Sequence, residues 1–158
     1  MNYESVESYY IKEDELNVLL AGAGIDAWYG ISVSDPAEEE GRSMDESGLN
    51  RVLADLYQKN YINWEPDGIR VLEPAASLVT IIKDASGCRE LIFDKETVPT
   101  ILIYINEGRC LLLEESPWDP CMYRFYFMDT KNLDAFIDSC RFQLKEIKTK
   151  ALVHGRLL

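Results

Sequence analysis

Few residues in this chain have the types and spacing that chemistry demands. Gly22, Gly24 and Ala27 spell the start of a dinucleotide-binding fingerprint, whose glycines let backbone amides approach a pyrophosphate at a helix start. What precedes them, KEDELNVLL, has helical rather than strand spacing, and no second strand follows in the acidic stretch after them, so the glycines read as a helix terminus. His154 is the only histidine and stands beside Gly155 near the end, a poor position for a nucleophile–histidine pair. Glu114 and Glu115 are adjacent on an expected strand, where they point to opposite faces and cannot share a substrate as acid and base. Cys88, Cys110, Cys121 and Cys140 are widely and irregularly spaced without a Cys-x-x-Cys pair, and a zinc site would need them, or three plus His154, to converge. They read as reduced, mostly buried thiols. No phosphate-binding loop with a following lysine and no metal-ligand pair at helical spacing is present in the sequence. The sequence therefore assigns no catalytic, metal-binding or cofactor-binding residue and predicts a protein that is not an enzyme.

Charge narrows the partners. The 158 residues carry a net charge of −12, whereas a nucleic-acid binder draws most of its affinity from Lys and Arg on phosphates. Acid is concentrated early, from Glu4 to Glu40, and base late, at Arg141, Lys145, Lys148, Lys150 and Arg156. At this length one compact unit is expected, and a content of 47% hydrophobic and 28% charged residues is that of an ordinary globular chain. The acidic start does not resemble a signal peptide, and no apolar run has the length of a membrane span, so a cytoplasmic location is predicted.

The elements follow from periodicity. Leu16, Leu19, Leu20 and Ala23 mark an amphipathic helix over Glu13–Ala23, Ile25, Trp28, Tyr29 and Ile31 an apolar cluster, and residues 32–43 an acidic loop. The stretch around which the chain is organised runs from Asp45 to Pro74. Asp45 or Ser47 caps a helix carrying Leu49, Val52, Leu53, Leu56 and Tyr57, and Pro66, Asp67 and Gly68 turn a hairpin between Tyr61–Trp64 and Ile69–Leu72. Helix, reversal and hairpin is the layout of a winged helix. A further helix opens at Glu73 and Pro74, carries Leu78, Val79, Ile81 and Ile82, and stops by Gly87. CRELIF, TILIYIN, RCLLLEE and MYRFYFM then read as four antiparallel strands, with Asn106–Gly108 closing a hairpin. From Asp129 or Thr130, the spacing of Leu133, Phe136, Ile137, Cys140, Leu144 and Ile147 predicts one long helix lying across the sheet. The expected fold is α+β: a winged-helix-like part over residues 1–86, then an antiparallel sheet of about four strands with a covering C-terminal helix over 87–158, packed as one unit.

Trp64, Trp118, Tyr123 and Tyr126 are the candidate partner-contact residues, being large aromatics in or beside turns or on an alternating strand. Tyr123, Phe125 and Phe127 share one strand face, Arg124 and Tyr126 the other.

The order KEDELNVLLAGAGI, then LNRVLADLYQKNYINWEPDGIRVLEPAASLVTIIKDA, then ILIYIN, RCLLLEE and MYRFYF resembles the EspG-type chaperones of type VII (ESX) secretion systems, as a shortened relative of that longer family. The resemblance covers roughly residues 12–128. It implies a cytosolic adaptor without enzyme activity or cofactor, which binds the tip of helical-hairpin substrates and brings them to the export machinery. The alternative is a winged-helix DNA-binding regulator with its recognition helix over Asp45–Asn60 and its wing tip at Glu65–Gly68. Its electrostatics oppose it, since Arg51 and Lys59 face Asp45, Glu46 and Asp55 on that helix, and the tip carries Glu65 and Asp67.

Overall fold

The computed structural model describes residues 7–25, 45–119, 121–153 and 156–157. The chain begins with strand β1 (Tyr9–Lys12) and helix α1 (Glu13–Gly22). Three acids occupy the first turn of α1, where they suit the helix dipole, and the Glu15 carboxylate accepts the Lys12 amide at 2.8 Å. The helix ends as its glycines suggest, with Gly24 at φ +80°, and the Ile25 amide closes the turn on Leu20 O. The expected apolar cluster at Trp28, Tyr29 and Ile31, and the acidic loop after it, lie outside the described residues.

Helix α2 (Glu46–Gln58) is capped by Asp45, whose carboxylate accepts the Gly48 amide at 2.7 Å. Asn60, at φ +61°, reverses the chain into the hairpin of β2 (Ile62–Glu65) and β3 (Gly68–Val71). Gly68 takes a φ of +137° that other residues rarely adopt, so the turn is tied to that glycine. Helix α3 (Ala75–Asp84) follows, burying Leu78, Val79, Ile81 and Ile82.

The four strands read from the sequence are β4 (Gly87–Phe93), β5 (Ile101–Ile105), β6 (Arg109–Glu115) and β7 (Met122–Asp129), each antiparallel to the next. The sheet is wider than four. β1 adds to the free side of β7, with Tyr9 opposite Phe125 and Ile11 opposite Tyr123, so residues for which the sequence pattern predicts no element form an edge strand. At the other side, β8 (Leu144–Val153) pairs with β4, giving the order β1-β7-β6-β5-β4-β8, and the two-residue β9 (Arg156–Leu157) touches only the far end of β8.

β8 corrects the long C-terminal helix. Helix α4 spans only Leu133–Cys140, Arg141–Gln143 form one 3-10 turn, and the chain then turns extended. Leu144 and Ile147 had fitted the helical stripe, but the KEIKTKALV that contains Ile147 also alternates, with β-branched Ile147, Thr149 and Val153. The open edge of β4 decides between the two readings, because a strand satisfies backbone groups that a helix would leave bare.

Two apolar layers sandwich the sheet. On one face Ile11, Phe125, Leu113, Leu111, Leu102 and Tyr104 meet α1, α2 and α3, and Phe125 is ringed by Tyr9, Tyr61 and Phe127 at centroid distances of 5.4, 6.2 and 6.0 Å. On the other, Leu91, Ile103, Leu112 and Tyr126 meet Leu133, Phe136 and Ile137 of α4, so the covering helix is present in a shorter form. The fold is thus α+β with an antiparallel sheet. Among the described residues no helix is long and apolar enough to cross a membrane.

Candidate functional site

An apolar groove of about 550 Å³ lies between α1, α2 and the β2–β3 hairpin. Val18 and the Ala21–Ala23 turn form one wall, Leu49 and Leu53 of α2 a second, Ile62, Ile69 and Val71 of the hairpin a third, and Val79 of α3 contributes to the lining. The hairpin register explains its share. Ile62 faces Val71 and Trp64 faces Ile69 across the ladder, so all four side chains stand on one face. Toward the tip that face emerges into solvent, with Ile69 and Trp64 exposed, the latter by 54%. On α2, Leu49 and Tyr57 are likewise exposed.

One ion pair ties α2 to α1. The Lys59 ammonium at the end of α2 reaches the fully buried Glu15 carboxylate of α1, the same oxygen that accepts the Lys12 amide. Beside it, the Tyr61 hydroxyl donates to Tyr10 O at 2.7 Å, and burial, with the Glu15 charge second, pushes its pKa up to about 12. The chain N-terminal to α1, the end of helix α2 and the hairpin start are thereby tied together.

Among the described residues, no side chain lining the groove is charged or carries a hydrogen-bonding group, so what these side chains offer is shape and apolar contact. Elsewhere among the described residues no group of three His, Cys, Asp or Glu could hold a metal ion. All four cysteines are free thiols: Cys88 and Cys110 are buried, Cys140 is half-buried and Cys121 exposed. Burial, followed by the Glu90 charge, pushes the Cys88 thiol up to about 12, which suits core packing rather than attack on a substrate. His154 lies outside the described residues.

The four aromatics singled out from the sequence do not form one surface. Trp64 extends the groove face along the hairpin. Trp118 is 92% exposed on the β6–β7 connection, over a hollow of about 610 Å³ shared with Pro99, Pro117 and Glu115. Tyr123 is half-buried in a neighbouring hollow of about 340 Å³ that also borders Glu115, so those two lie on either side of one carboxylate. Burial, then the Glu13 and Glu115 charges, raise the Tyr123 pKa to about 12. Tyr126 is only 6% exposed, within the apolar layer that α4 covers, and the Arg124 guanidinium stacks 4.8 Å from its ring while bonding Glu114 at 2.6 Å. Its place is in the core. Sequence reasoning passed over Leu49, Leu53, Val18 and Ile69 as groove residues, although the cross-strand pairing of Ile69 with Trp64 follows from a two-residue turn at Pro66-Asp67.

The chain matches no protein-family model and is not significantly similar to any curated protein.

Proposed function

We propose that this chain is a non-enzymatic protein-binding adaptor which holds one amphipathic helix of a partner protein in the groove between α1, α2 and the β2–β3 hairpin. The observation that carries the reading is the groove itself: about 550 Å³, lined among the described residues by apolar side chains, and continued by exposed Ile69 and Trp64. A partner helix presents apolar residues at spacings of three and four, and such a stripe is what a long apolar trough accepts. Ala21, Gly22 and Ala23 keep one wall low, which lets a helix backbone approach. Trp64 at the open end is the kind of large, half-exposed anchor that carries binding energy.

Helical substrates are also what the resemblance to type VII secretion chaperones implies, and the proposed role is that of a cytosolic adaptor keeping such a substrate soluble before export. The DNA-binding alternative is weakened by a detail of charge. Lys59, one of two bases on α2, is directed into Glu15 and away from any phosphate, leaving Arg51 against Glu46 and Asp55.

The test is recovery of partners by the tagged full chain from its native cells, repeated with Leu53→Glu and with Trp64→Ala. A small helical secreted protein that accompanies the wild type and is lost with both variants, while their melting temperatures stay near that of the wild type, supports the reading. A partner retained by both variants, or DNA that survives physiological salt, overturns it.

A further inference from the structure

We infer that the outer edge of β8 is a second binding surface, one that accepts an extended partner segment with acidic residues on one face and uncharged residues on the other. It does not depend on the groove. β8 pairs with β4 along one side, and on the other β9 covers only Leu152 and Val153, so among the described residues nothing pairs with the edge from Lys145 to Lys150. The Leu152 amide donates to Ser86 O at 2.9 Å, which sets the phase of the ladder: even-numbered residues of β8 bond to β4, and Ile147 and Thr149 turn their amides and carbonyls outward. A strand laid along this edge would find those groups ready.

The side chains state what the strand must carry. Lys148 and Lys150 stand on the sheet face they share with Cys88 and Glu90, and like Lys145 they are exposed and make no ion pair among the described residues. In a chain of net charge −12 the three lysines concentrate positive charge on one strand, against Glu146 within it and Glu90 opposite Lys148 on β4. On the opposite face, Ile147 and Thr149 border a hollow of about 520 Å³ that Ile137 of α4 shares with Arg89, Asp134, Asp138 and Arg141, so two acids and two arginines balance there. An added strand would alternate accordingly, acids toward Lys148 and Lys150 and uncharged residues toward Ile147 and Thr149, where the neighbouring charges already balance. Lysines on an edge also discourage indiscriminate pairing. Here they would leave the edge open to strands of opposite charge and closed to copies of itself.

The full chain would be titrated with a labelled peptide of alternating Glu and Val about eight residues long, enough to run along the open edge. Binding should slow hydrogen exchange of the Ile147 and Thr149 amides, and the double variant Lys148→Glu, Lys150→Glu should weaken it about tenfold or more. A peptide of alternating Lys and Val should not bind. Because both lysines are exposed, an unchanged melting temperature verifies the variant. Methylating the peptide's amides on one alternate set should abolish binding, and on the other leave it intact, a readout that does not alter the protein. Absence of binding, binding indifferent to the charge reversal, protection elsewhere in the chain, or dimerisation through β8 would each overturn the inference.

Discussion

Replacing Lys59 by Met should destabilise the protein more than replacing its partner Glu15 by Gln. Glu15 is the one buried charged residue among those described; one of its oxygens receives Lys59 and the Lys12 amide, and the other has no hydrogen-bond partner. Deleting one member of a buried pair typically costs about 3–5 kcal/mol, because the remaining charge stays in a poor solvent. The Lys59 side chain is 30% exposed, so water screens part of that interaction and about 2–3 kcal/mol is the better expectation for Lys59→Met. In a chain of this size that corresponds to a fall of about 4–12 °C in melting temperature. Glu15→Gln keeps an acceptor for the Lys12 amide and leaves a lysine that can turn to solvent, at about 1 kcal/mol. Thermal and urea unfolding of both variants and of the double variant would give the coupling. If Lys59→Met lay within about 0.5 kcal/mol of the wild type, or if Glu15→Gln were the costlier change, a charge pair joining α1 to the end of α2 would not be what stabilises this corner.

Phe125→Ala should cost about 3–5 kcal/mol in urea unfolding, since the ring is fully buried among Tyr9, Tyr61 and Phe127 and no neighbour can collapse into its place. A loss under about 1 kcal/mol would mean the β1–β7 side of the core is loosely packed. Stability should also fall in alkali. Burial raises the Cys88 thiol from 9.0 to about 12 and the Tyr61 and Tyr123 phenols from 10.0 to about 12. The unfolded chain releases these protons first, so stability is full below pH 9 and is lost progressively toward pH 12, with phenolate absorbance rising as the protein unfolds. A stability that stayed level throughout that window would contradict the burial of these groups.

How much of this was legible depends on whether a signal was local. Asp45 capping α2, Gly24 ending α1, Gly68 in the hairpin and Asn106–Gly108 between β5 and β6 are set by residues a few positions apart, and each stands where the pattern put it. β1 was missed because YYIK is too short to alternate convincingly; its strand character comes from the open side of β7. The second half of the supposed C-terminal helix was misread because Leu144 and Ile147 follow Cys140 at helical spacing, and an edge strand with few buried side chains gives only a faint period of two. Tyr126 was read as a contact residue because alternation shows which residues share a face and says nothing of whether α4 covers it. The groove unites α1, α2, the hairpin and α3, and the Glu15–Lys59 pair spans 44 positions, so neither had a local signature.

The seating of β1 against β7 bears on how the chain matures as it leaves the ribosome. Tyr9 and Phe125 are partners although 116 positions apart, and the Glu13 amide that begins α1 is held by Cys121 O at 2.8 Å. β1 must therefore wait, unpaired, until β7 has emerged before it finds its place. Contacts so distant in sequence slow folding and lengthen the interval during which apolar surface is uncovered. The helices and hairpin that frame the groove can form early, but the sheet face they rest on is completed last. The strand that leads into the groove's first helix is thus seated only after every described residue lining the groove has been made.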